Sequence, residues 1–276
     1  MSRSMIQAAV TMNQLQQKLD LIGNNLANSQ TTGYKSRDAD FASLLFQQID
    51  NLKNPDNEPA RLTPDGVRIG SGAILGHTNR NTALGSWKET DRALDTALRG
   101  ENQLFQIQVS HNGEPETYYT RDGAFYLSPM NDQQTVMLTT KDGHPVIGEN
   151  GPITFADGFD AISIQQNGEI VVRRDNQTET VGKLAIVETT RPQLLEATGE
   201  NAYRLPNLAE ANIELGQVIQ AVNPNADVVK SGVLEQSNVD MAKQMNDMIM
   251  TQRAYQMNGK TITMGDQMMG LVNQLR

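Results

Sequence analysis

The part of this sequence that comes nearest to a catalytic motif is the glycine-rich run Gly70-Ser-Gly72-Ala-Ile-Leu-Gly76, with Asp91 further along the chain. Such a run binds a dinucleotide when it follows a strand and opens a helix, because the helix N-terminus then faces the phosphates. Here Pro64-Asp-Gly66 precedes the run and Thr78-Asn-Arg-Asn-Thr82 follows it. A turn is therefore the better interpretation, and a dinucleotide enzyme is the most distant alternative.

The histidines and carboxylates offer no second candidate for catalysis. His77, His111 and His144 lie in separate polar contexts, without acidic residues at the spacing of metal ligands. The sequence has no Gly-x-Ser-x-Gly motif of a serine nucleophile. The acidic residues show no pairing for acid–base catalysis and are typical of a solvated surface. We therefore expect no enzyme activity, no catalytic residue, no metal site and no cofactor.

Charge and hydropathy exclude two further classes of protein. The 23 Lys and Arg residues are scattered among 32 Asp and Glu residues, and the formal net charge is −9. Binding of nucleic acid requires clustered cations, which this distribution does not provide. No run approaches the ~20 apolar residues that a transmembrane helix requires. We expect neither nucleic-acid binding nor membrane insertion.

The chain has no cysteine. This is either chance or an adaptation to passage through an oxidising space, and the composition leaves both interpretations open. Polar residues from Gln7 to Gln17 interrupt the N-terminal segment before an apolar block forms, so it lacks a signal-peptide pattern. If the protein leaves the cytoplasm, we expect export without a cleaved signal peptide.

A heptad pattern runs through the first 29 residues. Met5, Met12, Leu19 and Leu26 recur every seven residues, and Ala8, Leu15 and Ile22 each follow one of them by three. This is the spacing by which one helix buries a stripe of side chains against another. It predicts an N-terminal helix that pairs with a second helix.

The C-terminal segment carries two apolar stripes with the same period of seven. The first comprises Leu234, Met241, Met248, Tyr255, Ile262 and Met269. The second comprises Met250, Met257, Met264 and Leu271, and lies about 200° around an ideal helix from the first. Two nearly opposite stripes indicate a helix that packs between neighbours. Ser237 or Asn238 is its predicted cap, with Asp240 in the first turn.

Methionine is concentrated in this C-terminal segment. Eight of the 13 methionines lie between Met241 and Met269. They suit either a methionine-rich core helix or an adaptable interface, because flexible thioethers pack against partners in slightly different geometries. The sequence alone leaves both interpretations open.

The middle of the chain is predicted to be β-structure. Six Asn-Gly or Asp-Gly pairs, typical of tight hairpin turns, begin at Asn112, Asp122, Asp142, Asn150, Asp157 and Asn167. Short strand-like runs accompany them at Phe105–Val109, Ala161–Ile164, Ile170–Val172 and Leu184–Val187. Short strands at this spacing predict a compact, mainly antiparallel sheet domain over residues 75–205.

Two connectors flank the predicted β domain. Pro55, Pro59 and Pro64, with an Asp65-Gly66 turn, make residues 41–74 extended or loop, and residues 206–236 are interrupted by Pro206, Gly216, Pro224 and Gly232. The predicted fold class is therefore α+β. Residues 1–40 form a helix and a turn, and residues 237–276 form a second helix. A chain with helical ends and a β centre must bring its ends together, and a coiled coil of the two helices does so.

Several motifs at these ends resemble those of flagellar rod and hook proteins. The N-terminal ones are Asn24-Asn-Leu-Ala-Asn28 and Thr31-Thr-Gly-Tyr-Lys35, and the C-terminal ones are Ser237-Asn-Val-Asp-Met-Ala242, Gln252-Arg-Ala-Tyr255 and Asp266-Gln-Met268. Between them, Gly70-Ser-Gly72, Tyr119-Thr-Arg-Asp-Gly123 and Gly199-Glu-Asn-Ala-Tyr203 follow in the order of the family. Thr11-Met12 departs from an expected Thr-Gly-Met, and Ser29-Gln30 replaces an apolar-polar pair. The resemblance spans nearly the whole chain and is greatest to the distal-rod class.

This resemblance implies a subunit of the flagellar rod, with a hook or hook-junction subunit of the same axial family as the alternative. It implies a helical tube around an export channel, with terminal helices inside, a β layer outside, and torque passing from motor to hook. The implied partners are copies of the chain, other rod and hook proteins, and the flagellar type III export apparatus. The implied location is the extracytoplasmic basal body, and residues 40–70 are the candidate for a long hairpin.

Assembly is expected to depend on two sets of residues. The N-terminal set is Met5, Met12, Leu15, Leu19, Ile22, Asn24, Asn25, Leu26, Asn28, Thr32, Gly33 and Tyr34. The C-terminal set is Asn238, Val239, Met241, Met245, Met248, Gln252, Arg253, Tyr255, Ile262 and Met269. Taken alone, the segment from Asn24 to Lys35 is equally well explained as a polar helix end followed by a turn, with Gly33 at positive φ.

Overall fold

The computed structural model describes residues 2–43, 46–49, 67–70, 73–111, 113–130, 134–175, 177–199, 201–206, 214–223 and 226–275. They divide into two compact units. The helical unit comprises Met1–Leu26, Arg37–Asn79 and Met241–Arg276, and the β unit comprises Ala27–Ser36 and Arg80–Asp240. Because each unit draws on separate parts of the chain, its contacts join residues that are far apart in sequence.

The described residues contain three α-helices and 22 strands. The helices are α1 Ser2–Ala27, α2 Leu215–Val218 and α3 Met241–Gln274, with a 3₁₀ turn at Pro192–Leu194. The strands are β1 Arg37–Ser43, β2 Phe46–Ile49, β3 Val67–Gly70, β4 Ala73–Arg80, β5 Trp87–Glu89, β6 Thr96–Leu98, β7 Gln103–His111, β8 Glu114–Thr120, β9 Phe125–Pro129, β10 Thr135–Thr140, β11 Ile147–Gly148, β12 Gly151–Pro152, β13 Thr154–Ala156, β14 Ala161–Ile164, β15 Glu169–Arg174, β16 Gln177–Lys183, β17 Ile186–Thr189, β18 Glu196–Gly199, β19 Ala202–Arg204, β20 Ile219–Ala221, β21 Val229–Ser231 and β22 Val233–Glu235.

The helical unit also contains two strand pairs. Strand β1 pairs with β4, and β2 pairs antiparallel with β3 so that Phe46 lies opposite Gly70 and Ile49 opposite Val67. The amide of Leu75 on β4 donates to Gln14 Oε1 on α1 at 2.7 Å, which attaches this ladder to the helix. The three predicted loop prolines and the Asp65-Gly66 turn lie outside the described residues.

The β unit is built around a six-stranded sheet in the order β18-β19-β8-β7-β17-β20. Two three-stranded sheets, β13-β10-β9 and β14-β15-β16, complete its core, and every pairing with a described register in this unit is antiparallel. Leu98, Phe105, Phe125 and Leu138 are completely buried in the core. The rings of Phe105 and Phe125 pack edge to face at 5.1 Å. The prediction of an α+β chain with helical ends and a central antiparallel β region is confirmed.

Two of the predicted turns, Asn167-Gly168 and Asp122-Gly123, differ in what their glycine does. Gly168 has φ +83° in the turn between β14 and β15, where Ile164 lies opposite Ile170, so this hairpin turn is confirmed. The prediction of a hairpin turn at Asp122-Gly123 is wrong, because β8 and β9 on either side belong to different sheets. A Cβ on Gly123 would overlap the carbonyl oxygen of Thr96. Glycine therefore permits two backbones to approach closely here.

The C-terminal helix begins later than predicted. Helix α3 starts at Met241 rather than at residue 237, so Asp240 precedes the first turn. Leu234, predicted to begin the first apolar stripe, lies on β22. The predicted capping role of Asn238 is wrong, because its side chain is bonded to the backbone of the β unit. The return connector is also not simply extended, since α2 and three short strands form within it.

Candidate functional site

A buried ion cluster lies where the predicted N-terminal and C-terminal motifs meet in the β unit. Glu235, the last residue of β22, accepts from Lys35 Nζ at 2.7 Å through Oε1 and from Arg121 Nε at 2.6 Å through Oε2. All three side chains are buried. The three residues lie far apart in sequence, so this cluster joins three distant parts of the chain.

Backbone oxygens compensate for the unequal charge of the cluster. Two cations share one carboxylate, which leaves one positive charge in excess. Arg121 Nη1 donates to the carbonyl oxygens of Gly100 and Gln103, both at 2.6 Å, and Lys35 Nζ donates to Ala83 O at 2.7 Å. Carbonyl dipoles therefore solvate the excess charge, as a buried ion cluster requires for stability.

The cluster shifts the pKa values of two of its members. Burial lowers the pKa of Lys35, and the attraction of Glu235 offsets this only in part. Burial by itself would raise the pKa of Glu235, but the positive charges of Arg121 and then Lys35 outweigh it and hold that pKa below its ordinary value. Glu235 is therefore ionised, and removal of its charge would leave two cations buried without a counterion.

The tight turn around Gly33 brings Lys35 to the cluster. Gly33 has φ +66°, which confirms the predicted positive φ, and its amide donates to Glu235 O at 2.8 Å. A Cβ on Gly33 would lie 2.7 Å from the backbone C and O of Arg121, so only glycine fits. Asn201 Nδ2 donates to Thr32 O at 2.8 Å and supports the same turn. Motifs from four parts of the sequence thus converge here.

Asn238 connects the chain that leaves the cluster toward α3. Its Oδ1 accepts from the Ser36 amide at 2.7 Å, and its Nδ2 donates to the carbonyl oxygens of Asn81 and Ala83, both at 2.9 Å. A single amide side chain thus joins the N-terminal turn, the segment before β5 and the C-terminal motif. We infer that Asn238 positions the chain rather than capping the helix.

In the helical unit, Asn25 plays a comparable part. Its Nδ2 donates to Arg37 O at 2.8 Å and its Oδ1 accepts from the Arg37 amide at 3.0 Å. The same Nδ2 lies 3.3 Å from Gln244 Oε1 on α3. Asn25 is buried, and its two-way pairing with one peptide unit fixes the chain where β1 begins near the end of α1.

The buried side of each terminal helix repeats every seven residues. On α1 the apolar residues Ala8, Leu15 and Ile22 are buried, as is Asn25, whereas the predicted partners Met5, Met12, Leu19 and Leu26 are only half-buried. On α3 the buried residues are Gln244, Thr251 and Gly265. A Cβ on Gly265 would lie 2.9 Å from Met5 Cγ, so the two helices touch near this position and again at Asn25.

The two predicted apolar stripes of α3 differ in exposure. In the first, Met248, Tyr255 and Ile262 are half-buried, and Met241 and Met269 are exposed. In the second, Met250, Met257, Met264 and Leu271 are 66%, 63%, 55% and 61% exposed. The chain itself therefore leaves the second stripe, here called the methionine stripe, uncovered by the residues that the structure describes.

The other predicted assembly residues lie at the turn and on the outer surface of α3. Tyr34 is buried, Asn28 accepts from Thr31 Oγ1 at 3.1 Å, and Val239 is half-buried. Asn24, Met245, Gln252 and Arg253 are exposed. The set therefore does not form a single cluster.

Three important residues were absent from the predicted sets. Lys35 and Arg121 were visible as charged members of the Thr31–Lys35 and Tyr119–Gly123 motifs, and Glu235 lies two residues before Ser237. The available signal was a cation inside a turn motif, Lys35 in one and Arg121 in the other. The pairing itself was not predictable, because Lys35 and Glu235 are 200 positions apart.

The sequence also raised the questions of a metal site and of a membrane-spanning helix, which the described residues answer. Among them, no group of three or more His, Cys, Asp or Glu side chains is placed to hold a metal ion. Within the same described part of the chain, no helix combines the length and the apolar character needed to cross a membrane.

Three protein-family models match the chain. The model for "Flagella basal body rod protein" matches residues 7–35, that for "Flagellar hook protein FlgE/F/G D1 domain" residues 99–172, and that for "Flagellar basal body rod FlgEFG protein C-terminal" residues 230–275. Lys35, Arg121 and Glu235 each fall in a different matched region. The ion cluster therefore connects all three.

Similar proteins cover the whole chain. The flagellar hook-basal body complex protein FlhP of Bacillus subtilis (strain 168) is 39% identical over 280 residues, which are 100% of both chains. The chain belongs to the family of flagellar basal-body rod and hook proteins. The flagellar basal-body rod protein FlgG of the same organism is 32% identical over 100% of both chains, and that of Caulobacter vibrioides is 32% identical over 98% of this chain and 97% of its own.

Rod and hook proteins are structural proteins and not enzymes. Membership of this family therefore excludes the dinucleotide enzyme, which was the most distant alternative from the sequence. The structure agrees, because the glycine-rich run leads from β3 into strand β4 rather than into a helix. A dinucleotide site requires a helix N-terminus at that point. The enzyme alternative was therefore wrong, and the resemblance stated from the motifs is confirmed.

Proposed function

We propose that this chain is a structural subunit of the bacterial flagellar rod, which polymerises through α1 and α3 into a helical tube. The tube transmits torque from motor to hook and encloses the export channel. The observation that carries the proposal is the methionine stripe, four large apolar side chains on one face of α3 that are each more than half exposed. A soluble subunit gains by covering such a face, and neighbouring copies do so in a polymer.

We also propose that α1 and α3 pair as an antiparallel coiled coil within each subunit. Asn25 near the end of α1 meets Gln244 near the start of α3, and Met5 near the start of α1 meets Gly265 far along α3. The spacing of the buried residues on both helices, seven positions apart, supports the same arrangement. The assembly residues that lie on α1 and α3 would then belong to one helical layer.

The partners follow from this role. They are copies of the chain, other rod and hook proteins, and the flagellar type III export apparatus, which delivers the subunit to the extracytoplasmic basal body. The ion cluster and Asn238 fix the course of the chain where it enters and leaves the β unit.

A deletion strain tests the proposal. Loss of the protein should arrest flagella at the rod or hook stage and leave cells viable but non-motile, and expression from a plasmid should restore swimming. Normal swimming of a strain that lacks both the gene and any paralogue would contradict the proposal. Localisation of a tagged subunit by electron microscopy of isolated hook–basal bodies separates a rod position from a hook or junction position.

A further inference from the structure

The exposed face of α3 is rich in sulfur. The chain has no cysteine, so that its 13 methionines are its only sulfur atoms. Met250, Met257 and Met264 are 66%, 63% and 55% exposed, and four more methionines of α3 are also exposed. Among the described residues outside α3, Met130 is the only exposed methionine. The accessible sulfur of the free subunit is therefore concentrated on the helix that carries the proposed contacts.

Oxidation makes an apolar thioether polar, which opposes its burial in an apolar contact. Hydrogen peroxide transfers one oxygen atom to the sulfur, which is oxidised to a sulfoxide while the hydrogen peroxide is reduced to water. The product is polar, and burial of a sulfoxide without a hydrogen-bond partner is costly. Leucine or isoleucine would fill the same positions without this sensitivity, so the choice of methionine has a chemical consequence.

We propose that Met250, Met257 and Met264 form an oxidation site that controls assembly of the free subunit. This inference rests on the proposed function, since it requires that the methionine stripe is covered in the polymer. Peroxide converts the three thioethers of an unassembled chain to sulfoxides and prevents the stripe from packing. Once the subunit is incorporated, its neighbours cover the sulfur atoms and protect them. Reduction of the sulfoxides by a thiol-dependent reductase restores the subunit.

The first test measures the chemistry alone. The purified chain is treated with hydrogen peroxide, and sulfoxide formation at each methionine is followed by peptide mass spectrometry. Met250, Met257, Met264 and Met130 should oxidise several-fold faster than the half-buried Met137 of the β unit. Equal rates at exposed and half-buried methionines would overturn the proposal, and this result does not depend on whether the chain is a rod subunit.

The second test measures the consequence for assembly. The triple variant M250Q/M257Q/M264Q places a polar side chain of sulfoxide-like length at each position, and M250L/M257L/M264L keeps the face apolar. Incorporation into hook–basal bodies should fall at least about tenfold for the glutamine variant, because three polar groups enter an apolar contact. The leucine variant should assemble normally. Cells that carry it should still build flagella after a peroxide pulse that inhibits flagellar assembly in wild-type cells.

Met130→Gln is the matched control. It makes the same chemical change at an exposed methionine of the β unit, and it should assemble like the wild type. Normal assembly of the glutamine triple variant would overturn the proposal, as would peroxide sensitivity in the leucine variant equal to that of the wild type. If the proposed function itself fails, the deletion strain will swim without the protein, which distinguishes the two failures.

Discussion

The β unit and the helical unit differ in the side chains that they bury and expose. In the β unit, even a cluster of three charged side chains is enclosed and bonded, and large apolar residues such as Phe105 and Phe125 are completely buried. In the helical unit, α3 buries Gln244, Thr251 and Gly265 and exposes its methionine stripe. The β unit encloses its large apolar and charged side chains, whereas the helical unit carries an apolar face that the described residues leave exposed.

The composition of α3 sharpens this contrast. Gly259, Gly265 and Gly270 lie within the helix, and each lowers its intrinsic stability by about 1 kcal/mol relative to alanine. Thr251, Thr261 and Thr263 each donate to the carbonyl four residues earlier. A helix of this kind depends on packing rather than on its own propensity. We therefore expect it to be stable only where partners cover it.

Limited proteolysis of the free subunit should give the largest contrast between the two units. Trypsin should cut first in the terminal helices, at exposed basic residues such as Lys243, Arg253 and Lys260, because these helices open more readily than the β unit. Roughly the first 40 and last 40 residues should be lost while a resistant β fragment remains. Mass spectrometry of the products is the measurement. Equal protection of helices and β unit would contradict the comparison.

Glu235→Gln should be the most destabilising single substitution in the ion cluster. It leaves Lys35 and Arg121 buried without a counterion, and the expected loss in the free energy of unfolding is about 3–5 kcal/mol. Lys35→Met leaves a neutral Arg121–Glu235 pair and should cost less. Denaturant unfolding of the three proteins is the measurement.

The exposed pair of Arg204 and Glu196, at 2.8 Å, supplies the control for this series. Glu196→Gln should change the free energy of unfolding far less than Glu235→Gln, because solvent screens a surface ion pair. If Glu235→Gln costs no more than Glu196→Gln, the cluster does not hold the β unit together.

Gly33→Ala should be the next most damaging change. It combines a positive φ with a Cβ at 2.7 Å from the backbone of Arg121, and the expected cost is about 3 kcal/mol from backbone strain and overpacking together. Gly113→Ala is the matched control, because Gly113 has φ +88° but no atom within 4 Å of the added Cβ. Thermal unfolding should show a cost of only about 1–2 kcal/mol for the control. Equal losses would mean that the contact with Arg121 is unimportant.

Acid should weaken the β unit through Glu235. Its pKa is lowered in the folded state, so the stability that it contributes is present above its ordinary value of 4.5 and is lost as the pH falls through the folded value. Burial raises the pKa of Asp122, which has the opposite effect as the pH falls. In the Asp122→Asn variant the free energy of unfolding should therefore fall more steeply with acid than in the wild type. If the free energy of unfolding depends on pH in the same way in both proteins, Asp122 does not affect the acid stability of the β unit.

The smallest effect on the β unit is expected from Leu15→Asp. Leu15 is buried on α1, and an unpartnered carboxylate in that apolar seam is costly unless the seam opens. The melting temperature of the β unit should stay unchanged while incorporation into hook–basal bodies is lost. Gln16→Asp, at an exposed position on the same helix, should assemble. Unfolding of the β unit by Leu15→Asp would show that the two units are one cooperative structure.

The heptad periodicity predicted both helices, but it did not predict which residues they bury. On α1, Leu15 and Ile22 of the predicted seam are buried, while Met5 and Met12 are only half-buried. On α3 the buried positions are small or polar, and they were not part of either predicted stripe. A repeat of seven shows that a helix has faces. It does not show whether a face meets the same chain or another one.

The sequence by itself determined the elements that depend on neighbouring residues. Turn residues such as Asn167-Gly168 act over a few positions, and ordered motifs such as Thr31–Lys35 identify the family, so both were readable. Only the tertiary structure decided that Glu235 pairs with Lys35 and Arg121, across separations of 200 and 114 residues. The partner of a charge is selected by where the backbone brings it, and no local pattern records that choice. The same holds for Gly123, which lets two backbone segments approach closely, and for Asn238, which bonds to the backbone of distant segments. Their contacts also depend on residues that are far away in the sequence.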